Sequence, residues 1–475
     1  MKKLFETSLV AVVMKKKMIS ELHKVTTITS LSSIFRVEHS HDSSIPHFEQ
    51  FVRDRCKSGN LGIEEAMGLF EKAIQMRPLS SIYPFNQLLG VITKLNQYPE
   101  VITMFKSMDS KGIRSNVVTF STLINCFCEM GKVDFGFAVV GNVFKSGFEP
   151  DLVIFNILLK GLFKENRVKD AIKLFYKITE NGYTCNVVTY GTMVDGLCKT
   201  GNVDQAFKLL NDMERGNCKP NIVIYNAIID GICKDKQIPK AQNIFEEMIF
   251  KGVAPDVFTY NSLIDGLCKV GRVAAAQELF MEMQARGPSP DVYTYNVLLD
   301  GLFTNGRYEE AMRLFEKMDN DGLEADIVTY STVIDSMCKS NNLDEAKKLF
   351  DSLPSKELKS DTQTFNIMIQ GFMKKGLLQE SENLLTEMLD KGPTPDNVTY
   401  NIMIRGFFQN NEIDKAVQLL YDMVDRDFSL DVINTSIVED LLAADGLEGK
   451  FIGLVDKILP KRQSKGTVTT VELGV

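Results

Sequence analysis

The sequence contains no tryptophan and only four histidines, all between His23 and His47. From residue 48 onward no imidazole is available to ligate a metal or to act as a general base, which excludes many metal sites and nucleophilic mechanisms. A zinc deaminase also needs a P-C-x-x-C motif, and none occurs. No run of 18 or more apolar residues is present, so no membrane-spanning helix is expected.

The sequence also has no excess of positive charge: 54 Lys and Arg residues stand against 62 Asp and Glu residues, which gives a formal net charge of −8. Nucleic-acid-binding proteins usually carry a basic surface, so this balance argues against simple electrostatic binding. Residues 1–46 differ from the rest: seven basic and four acidic residues give them a charge of +3, and they are rich in Ser and Thr. We interpret them as an organelle transit peptide. Lysines in place of arginines depart from that class, and the alternative is an N-terminus without a targeting role.

What the sequence does contain is a 35-residue period from Ile82 to Asp431. Ten consecutive units carry an aromatic residue at the fourth position: Phe85, Phe120, Phe155, Tyr190, Tyr225, Tyr260, Tyr295, Tyr330, Phe365 and Tyr400. We call these units repeats 1 to 10 and number the positions within each from 1 to 35. A fixed period of this length predicts a solenoid whose units bury their apolar faces by stacking.

Each repeat predicts two helices. In repeat 6 apolar residues recur at helical spacing after Tyr260 and again from Ala276 to Met283. Between them, position 15 is glycine or asparagine in every repeat except repeat 5, which has Lys236, and these residues tolerate a left-handed helix end. We expect Lys236 to be slightly strained or to be capped differently. Pro354 and Glu357 should disturb the end of repeat 8.

The segments that flank the repeats look like caps. Residues 47–81 resemble an imperfect N-terminal unit, and residues 432–459 begin an eleventh unit that lacks the aromatic, with Thr435 at that position. Residues 460–475 form a tail. The expected fold is therefore an all-α α-solenoid of helix–turn–helix repeats, which should be right-handed by analogy with other α-solenoids.

Five of the nine cysteines fall at position 12. Four other repeats hold Phe or Met there, so the position is one for apolar packing and its thiols are expected to be reduced. The position-12 residues concerned are Cys128, Phe163, Cys198, Cys233, Cys268, Phe303, Cys338, Met373 and Phe408.

Two positions are restricted to small polar residues. Position 35 precedes a helix, where Asp and Asn are good N-caps, so capping alone could explain it. Position 5 lies one turn into the first helix, where Asn is unfavourable, which indicates a repeated function. The paired residues at positions 5 and 35 are Asn86 and Asn116, Ser121 and Asp151, Asn156 and Asn186, Gly191 and Asn221, Asn226 and Asp256, Asn261 and Asp291, Asn296 and Asp326, Ser331 and Asp361, Asn366 and Asp396, and Asn401 and Asp431.

Two further positions suggest contacts with a single-stranded nucleotide. An apolar side chain could pack on the base, an amide could read its edge, and an ammonium could meet a phosphate. Position 2 holds Tyr83, Val118, Val153, Val188, Val223, Phe258, Tyr293, Val328 and Val398, with Gln363 as the exception. Position 13 holds Lys94, Lys164, Lys199, Lys234, Lys269, Lys339 and Lys374. Lysines at a helix C-terminus also complement the helix dipole, which is the alternative explanation.

The repeat resembles the pentatricopeptide-repeat family in its P-type form, since Val257 to Asp291 follows the pattern VTYNxLIDGLCKxGRxxxAxxLFxEMxxxGxxPD closely. The runs of LCK are similar to the restorer-of-fertility-like branch of plant mitochondria. The resemblance covers about three-quarters of the chain and implies a monomeric protein that binds single-stranded RNA without cofactor, metal or catalysis.

In that family positions 5 and 35 together select one base, which implies a target of 5′-YGYAUUUGUU-3′. The A rests on Gly191 with Asn221, a departure from the usual pair. Glu129, Thr304 and Gln409 depart at position 13 and should weaken phosphate contact there. The resemblance further implies organellar RNA processing, in a mitochondrion or alternatively a chloroplast, with an RNA-processing enzyme as a partner. A scaffold that binds proteins is the competing function.

Overall fold

The computed structural model describes residues 44–216, 218–390 and 392–443. By their internal contacts the residues group into two units, 1–266 and 267–475. Within the described residues the secondary structure is helical, with no strand. The predicted all-α solenoid of helix pairs is confirmed. The transit-peptide prediction, most of the predicted eleventh unit and the tail lie outside the described residues.

Every repeat contains two helices separated by a short turn, and most of these helices have the same length. The first helices are Ile82–Lys94, Val117–Glu129, Leu152–Lys164, Val187–Lys199, Ile222–Lys234, Val257–Lys269, Val292–Thr304, Ile327–Lys339, Thr362–Lys374 and Asn397–Gln409. The second helices are Tyr98–Ser110, Val133–Lys145, Val168–Glu180, Val203–Arg215, Ile238–Phe250, Val273–Arg286, Tyr308–Asn320, Leu343–Ser352, Leu378–Asp390 and Ile413–Asp425.

Helices also flank the repeats. Ser44–Lys57 and Ile63–Gln75 form the N-terminal pair, and Val432–Ala443 follows repeat 10. The first of them begins slightly before the boundary that the sequence predicts at residue 47. Phe48, Val52 and Phe70 of the pair are buried together with Phe85 and Leu88 of repeat 1. The N-terminal pair therefore covers the apolar face that repeat 1 would otherwise expose, as expected for a cap.

The turn between the two helices is left-handed in all ten repeats. Position 15 has a positive φ throughout, at Asn96, Gly131, Asn166, Gly201, Lys236, Gly271, Gly306, Asn341, Gly376 and Asn411. Lys236, with φ of 60°, is a lysine in a conformation that costs a residue with a Cβ roughly 1–2 kcal/mol. Its N–H donates to the carbonyl of Cys233, as position 15 does in other repeats, so Lys236 keeps the common turn and is not capped differently.

Repeat 8 keeps the 35-residue period but changes its second helix. The α-helix stops at Ser352, and a 3-10 helix spans Leu353–Lys356. Glu357 then takes a left-handed φ of 60°. The predicted disturbance by Pro354 and Glu357 is thus confined to the end of that helix.

The position-4 aromatics hold neighbouring repeats together within each unit. In six of the repeats this ring meets the ring of a phenylalanine in the second helix of the preceding repeat. Phe175 and Tyr190 lie 5.5 Å apart between centroids, and Phe280 and Tyr295 lie 5.2 Å apart, both edge to face. Such pairs add about 0.5–1.5 kcal/mol beyond the burial of their area. These aromatics are therefore packing residues.

Position 10 is where first helices approach most closely. It is a glycine in most repeats, and its backbone packs against the position-12 side chain of the preceding repeat. A Cβ added to Gly231 would lie 2.6 Å from Cβ of Cys198, and one added to Gly266 would lie 2.8 Å from Cβ of Cys233. The position-12 cysteines are consequently packing residues, as predicted, and all nine cysteines are free thiols.

Candidate nucleic-acid interface

Positions 5 and 35 of one repeat lie far apart in sequence but come together in space. We call them the reading pair. Within residues 1–266 the Asn86 amide nitrogen donates to Oδ1 of Asn116 at 3.1 Å, and that of Asn226 donates to Oδ1 of Asp256 at 3.0 Å. Within residues 267–475 the corresponding distances are 3.3 Å from Asn296 to Asp326 and 3.4 Å from Asn366 to Asp396.

Position 35 is placed there by its role as a helix cap. In all ten repeats its side chain accepts a hydrogen bond of 2.8–3.2 Å from the backbone N–H at position 3 of the next repeat. The capping explanation for this position is therefore confirmed. Capping leaves one carboxylate oxygen without a hydrogen bond: the bonds to the Asp256 side chain all end on Oδ1, and in the described part of the chain none reaches its Oδ2.

The reading pair is embedded rather than solvated. Asn226 and Asn296 are each 8% exposed. Burial opposes ionisation of Asp256, but hydrogen bonds from Thr259 and Asn226 outweigh it, so the pKa of Asp256 lies below its usual value. The same balance lowers the pKa of Asp326 and of Asp396. These position-35 residues are therefore carboxylates at neutral pH.

Position 3 of the following repeat completes the cluster, and the sequence argument did not consider it. The hydroxyl of Thr259 donates to Oδ1 of Asn226 at 2.6 Å, and that of Thr119 donates to Oδ1 of Asn86 at 2.7 Å. Both threonines have no exposed surface. The sequence shows a threonine that recurs just before the position-4 aromatic. It does not show that this threonine contacts position 5 of the preceding repeat.

Position 2, three residues before position 5, exposes apolar side chains. Its residues are 53–67% exposed: Tyr83, Val118, Val153, Val188, Val223, Phe258, Tyr293, Val328 and Val398. Single exposed apolar residues are normal on proteins. Nine of the ten repeats carry such an exposed apolar side chain three residues before position 5, a recurrence that stacking of bases on the repeats would require.

The lysines at position 13 are at the end of the first helix, and several are paired with an acid. Lys199 lies 2.8 Å from Asp195, Lys234 lies 2.6 Å from Asp230, and Lys339 lies 2.5 Å from Asp335, each with the aspartate one turn earlier at position 9. The structure therefore adds a neutralising aspartate that the sequence argument missed, although an i, i+4 spacing could have revealed it.

Lys164 is paired differently. Its ammonium lies 2.6 Å from the carboxylate of Glu129, which occupies position 13 of the preceding repeat, and Lys160 lies 3.1 Å from the same carboxylate. These bonds lower the pKa of Glu129 against the opposing effect of burial. Glu129 therefore replaces the lysine expected at position 13 of repeat 2 and also neutralises the lysine at position 13 of repeat 3.

Not every reading pair has the same form. The hydroxyls of Ser121 and Ser331 each donate 2.7 Å bonds to a carbonyl of their own helix, at Val117 and Ile327. In repeat 4, a Cβ on Gly191 would find no atom within 4 Å, so that site is open.

Repeat 10 departs furthest from the common form. The Asn401 amide nitrogen donates to backbone carbonyls at Asn397 and Ser429, at 2.8 and 3.1 Å. The Asp431 carboxylate is paired with the Arg405 guanidinium. The structure therefore does not join these two predicted site residues through their side chains.

Glu246, Glu247, Glu309 and Glu310 lie on second helices. Glu247 is bound by Lys251, and Glu310 by Arg307 at 2.6 Å, whereas Glu246 and Glu309 carry no ion pair among those the structure describes. Among the described residues no cluster of His, Cys, Asp or Glu is arranged to hold a metal ion. None of their helices has the length and apolar character needed to cross a membrane.

Family models match this helical array along most of its length. The PPR repeat family matches residues 81–129, 150–199, 186–223, 220–269, 255–304, 292–339, 325–374, 360–409 and 395–440, and the PPR repeat matches residues 118–148. This chain belongs to the pentatricopeptide-repeat (PPR) family.

Relatives in Arabidopsis thaliana include two mitochondrial pentatricopeptide repeat-containing proteins. One is 38% identical over 95 residues, which is 20% of this chain and 15% of the relative. The other is 34% identical over 107 residues, which is 22% of this chain and 17% of the relative. The matches thus span less than a fifth of the length of those two PPR proteins.

Among solved structures, this PPR chain is similar to PPR10 in complex with an 18-nt psaJ RNA element. The TM-score is 0.63 at 24% identity, over 88% of this chain and 61% of PPR10. At this identity the likeness establishes a shared helical-repeat fold.

Proposed function

We propose that this PPR protein binds single-stranded RNA with base selectivity, one nucleotide per repeat. The observation that carries the proposal is the recurrence, in repeats 1, 5 and 7, of an exposed apolar side chain at position 2 together with a position-5 asparagine that donates to the side chain at position 35. In repeat 5 these are Val223, Asn226 and Asp256. The apolar side chain can pack on the face of a base, and the polar pair can bond its edge.

The pair in repeat 5 suits uracil. The amide offers an N–H donor and the carboxylate offers an acceptor, and the Watson–Crick edge of uracil presents O4 as an acceptor beside N3–H as a donor. Cytosine presents the opposite order. Together with the family's base-selection pattern, this supports 5′-YGYAUUUGUU-3′ as the target. The least supported nucleotides are the fourth, where Gly191 leaves open space, and the tenth, where Asn401 and Asp431 have other partners.

Binding should depend on stacking and edge contacts more than on charge. The protein carries a net charge of −8, and Lys199, Lys234 and Lys339 are already paired. Each stacked base is worth about 1–3 kcal/mol when its platform is truncated. We therefore expect a modest dependence of affinity on salt, because few phosphates would be neutralised by free cations.

The biological role we infer is action on organellar transcripts by occupancy. A bound solenoid would block nucleases, expose or hide sites, or recruit an RNA-processing enzyme. The names of the Arabidopsis relatives favour the mitochondrion over the chloroplast, and the basic residues 1–46 fit an import signal. Fusion of residues 1–46 to a fluorescent protein tests this: exclusion from both organelles would contradict it.

The experiment that tests RNA binding is selection from a random single-stranded RNA pool with the full chain. Enrichment of a motif related to the decamer is expected, and an unrelated motif would contradict the base assignments. In addition, Asn226→Ser should shift the preference at the fifth nucleotide from U toward G. Loss of all binding without such a shift would mean that Asn226 is structural. As a control, Asn320→Ser lies on a second helix and should leave the motif unchanged.

A protein-binding scaffold is the second candidate. Apolar side chains at the end of the second helix of repeat 5 favour it, since Phe250 is 91% exposed and Ile249 is 48% exposed. If the protein is such a scaffold, Asn→Ala changes at position 5 would impair partner binding while RNA binding stayed undetectable. The RNA selection described above separates the two functions.

A further inference from the structure

We propose that the threonine hydroxyl at position 3, where it follows a repeat with asparagine at position 5, fixes the orientation of that asparagine and so contributes to base selection, which makes the threonine a positioning residue. The inference rests on the proposed RNA-binding function. It adds a third residue, from the neighbouring repeat, to the two that form the reading pair.

The geometry in repeat 5 carries the argument. Oδ1 of Asp256 receives the Thr259 backbone N–H at 2.9 Å and the Asn226 amide at 3.0 Å. The Thr259 hydroxyl lies 2.9 Å from that oxygen but only 2.6 Å from Oδ1 of Asn226. Since a hydroxyl has one proton and the carboxylate already has two donors, the proton belongs on the amide oxygen.

The position of the hydroxyl correlates with the tightness of the reading pair. Where it reaches the amide oxygen, in repeats 1 and 5, the amide lies 3.1 and 3.0 Å from the position-35 oxygen. In repeats 7 and 9, Thr329 and Thr399 donate to the position-35 carboxylate instead. There the corresponding distances are 3.3 and 3.4 Å.

The amide has the same orientation in these repeats. In repeats 7 and 9 the amide oxygens of Asn296 and Asn366 are buried and have no hydrogen-bond partner among the described residues. The nitrogen faces the carboxylate in each case. In repeats 1, 5, 7 and 9 the nitrogen end therefore faces position 35, and the second N–H of the amide is left for a base.

The sequence shows the same coupling. All seven asparagines at position 5 are followed, at position 3 of the next repeat, by a side chain that can donate a hydrogen bond. Two of the three other residues, Ser121 and Gly191, are followed by Ile154 and Ile224, which cannot donate. The seven partners of the asparagines are Thr119, Thr189, Thr259, Thr294, Thr329, Thr399 and Asn434.

The chemical consequence concerns uracil against cytosine. An amide can turn over and exchange its oxygen and nitrogen, which differ only in donor and acceptor character. Anchoring the oxygen on a buried hydroxyl keeps an N–H toward the base, and the carboxylate beside it accepts from N3–H of uracil. Without the anchor the amide can present its oxygen to the amino group of cytosine, so discrimination between the two pyrimidines should fall.

The test measures the affinity of the full chain for two decamers that differ only in U or C at the fifth nucleotide. We expect Thr259→Val to lower the U-to-C affinity ratio by about fivefold, the equivalent of one net hydrogen bond. Thr259→Ser, which keeps the hydroxyl, should have the U-to-C affinity ratio of the wild type. Ile at the same position of repeats 3 and 5 indicates that the helix tolerates a branched apolar residue there. Thr259→Ala removes the hydroxyl in a second way should the valine variant fold poorly.

The control is Ile224→Thr, which adds a hydroxyl opposite Gly191, where there is no amide to orient. It should leave the preference at the fourth nucleotide unchanged. Equal U-to-C ratios for wild type and for the Val and Ala variants of Thr259 would overturn the inference while leaving RNA binding intact. A purely structural role would lower affinity for both decamers alike, which would also overturn it. If the wild-type chain binds neither decamer, the proposed function itself is wrong.

Discussion

A Cβ atom added to Gly196 would lie 2.2 Å from Cδ2 of Phe163, in the first helix of the preceding repeat. Real Cβ atoms do not approach that closely, and Phe163 is only 9% exposed, so its ring has little room to move. The contact therefore sets how closely the first helices of repeats 3 and 4 approach one another.

We expect Gly196→Ala to destabilise the protein by about 1–3 kcal/mol, the usual cost of overpacking a core. Urea-induced unfolding followed by circular dichroism measures it. Gly141→Ala is the matched control: it also lies within a helix, but its Cβ would meet nothing within 4 Å. That variant should gain roughly 0.5–1 kcal/mol from better helix propensity. Equal effects of the two changes would contradict the packing argument.

Replacing Lys236 by glycine should stabilise the protein. The residue has φ of 60°, and relieving a left-handed conformation at a residue with a Cβ is worth roughly 1 kcal/mol. Thermal unfolding of Lys236→Gly against wild type measures the gain. The reverse change, Gly201→Ala at the same position of repeat 4, where φ is 73°, should destabilise by a similar amount. A destabilised Lys236→Gly would indicate that the lysine side chain has a role of its own.

The period, the helix pairs and the left-handed turn could be predicted from the sequence because each depends on residues close together in the chain. Asn96 or Gly131 ends a helix through its own backbone preference. The position-4 aromatic was likewise identified as a packing residue, and its partner lies in the helix just before it in the chain, as between Phe175 and Tyr190.

The composition of the candidate site was only half predictable. Positions 5 and 35 were singled out by their restricted residue types, but the bond between Asn226 and Asp256 joins the two ends of a repeat, and Thr259 completes it from the next repeat. Such contacts depend on how repeats stack. The ion pair between Arg405 and Asp431 in repeat 10 could not be predicted either, because arginine does not recur at that position of the other repeats.

The stability of the solenoid should fall in acid. The folded-state pKa of Asp256, Asp326 and Asp396 lies below the usual value, because hydrogen bonds to the carboxylate outweigh burial. Their contribution is therefore complete above the unfolded pKa of about 3.9 and is lost as the pH falls through the folded-state value. We expect urea midpoints that are flat from neutral pH to about pH 5 and that drop below about pH 4.

A triple Asp→Asn variant at these three positions tests the assignment. Asparagine caps the same helix position at Asn116 and Asn186, so the helices should still form, but the side chain cannot titrate. The variant should be less stable than wild type at pH 7, and the gap should close below about pH 4. Asp109→Asn, at an exposed site on the second helix of repeat 1, is the control for removing an acidic side chain without changing a helix cap. A gap that stays constant for the triple variant would refute the assignment.

The position-9 aspartates should limit how strongly this protein binds RNA of any sequence. Asp230 lies 2.6 Å from Lys234, so a phosphate must compete with a carboxylate for the same ammonium. We expect Asp230→Asn to raise the affinity for the decamer and for an unrelated RNA alike, by about two- to fivefold, the value of an exposed ion pair. The slope of affinity against salt should steepen by about one ion, since one more cation becomes free to bind phosphate.

Filter binding of both RNAs at several salt concentrations measures these effects. Glu246→Gln is the control, because it removes the same charge from an exposed site on the second helix of the same repeat. A change in net charge alone would act on both variants equally, whereas release of Lys234 requires the aspartate beside it. If Asp230→Asn weakens binding, the pair must instead hold the lysine in the conformation that meets the phosphate, and the aspartate would then be part of the binding surface.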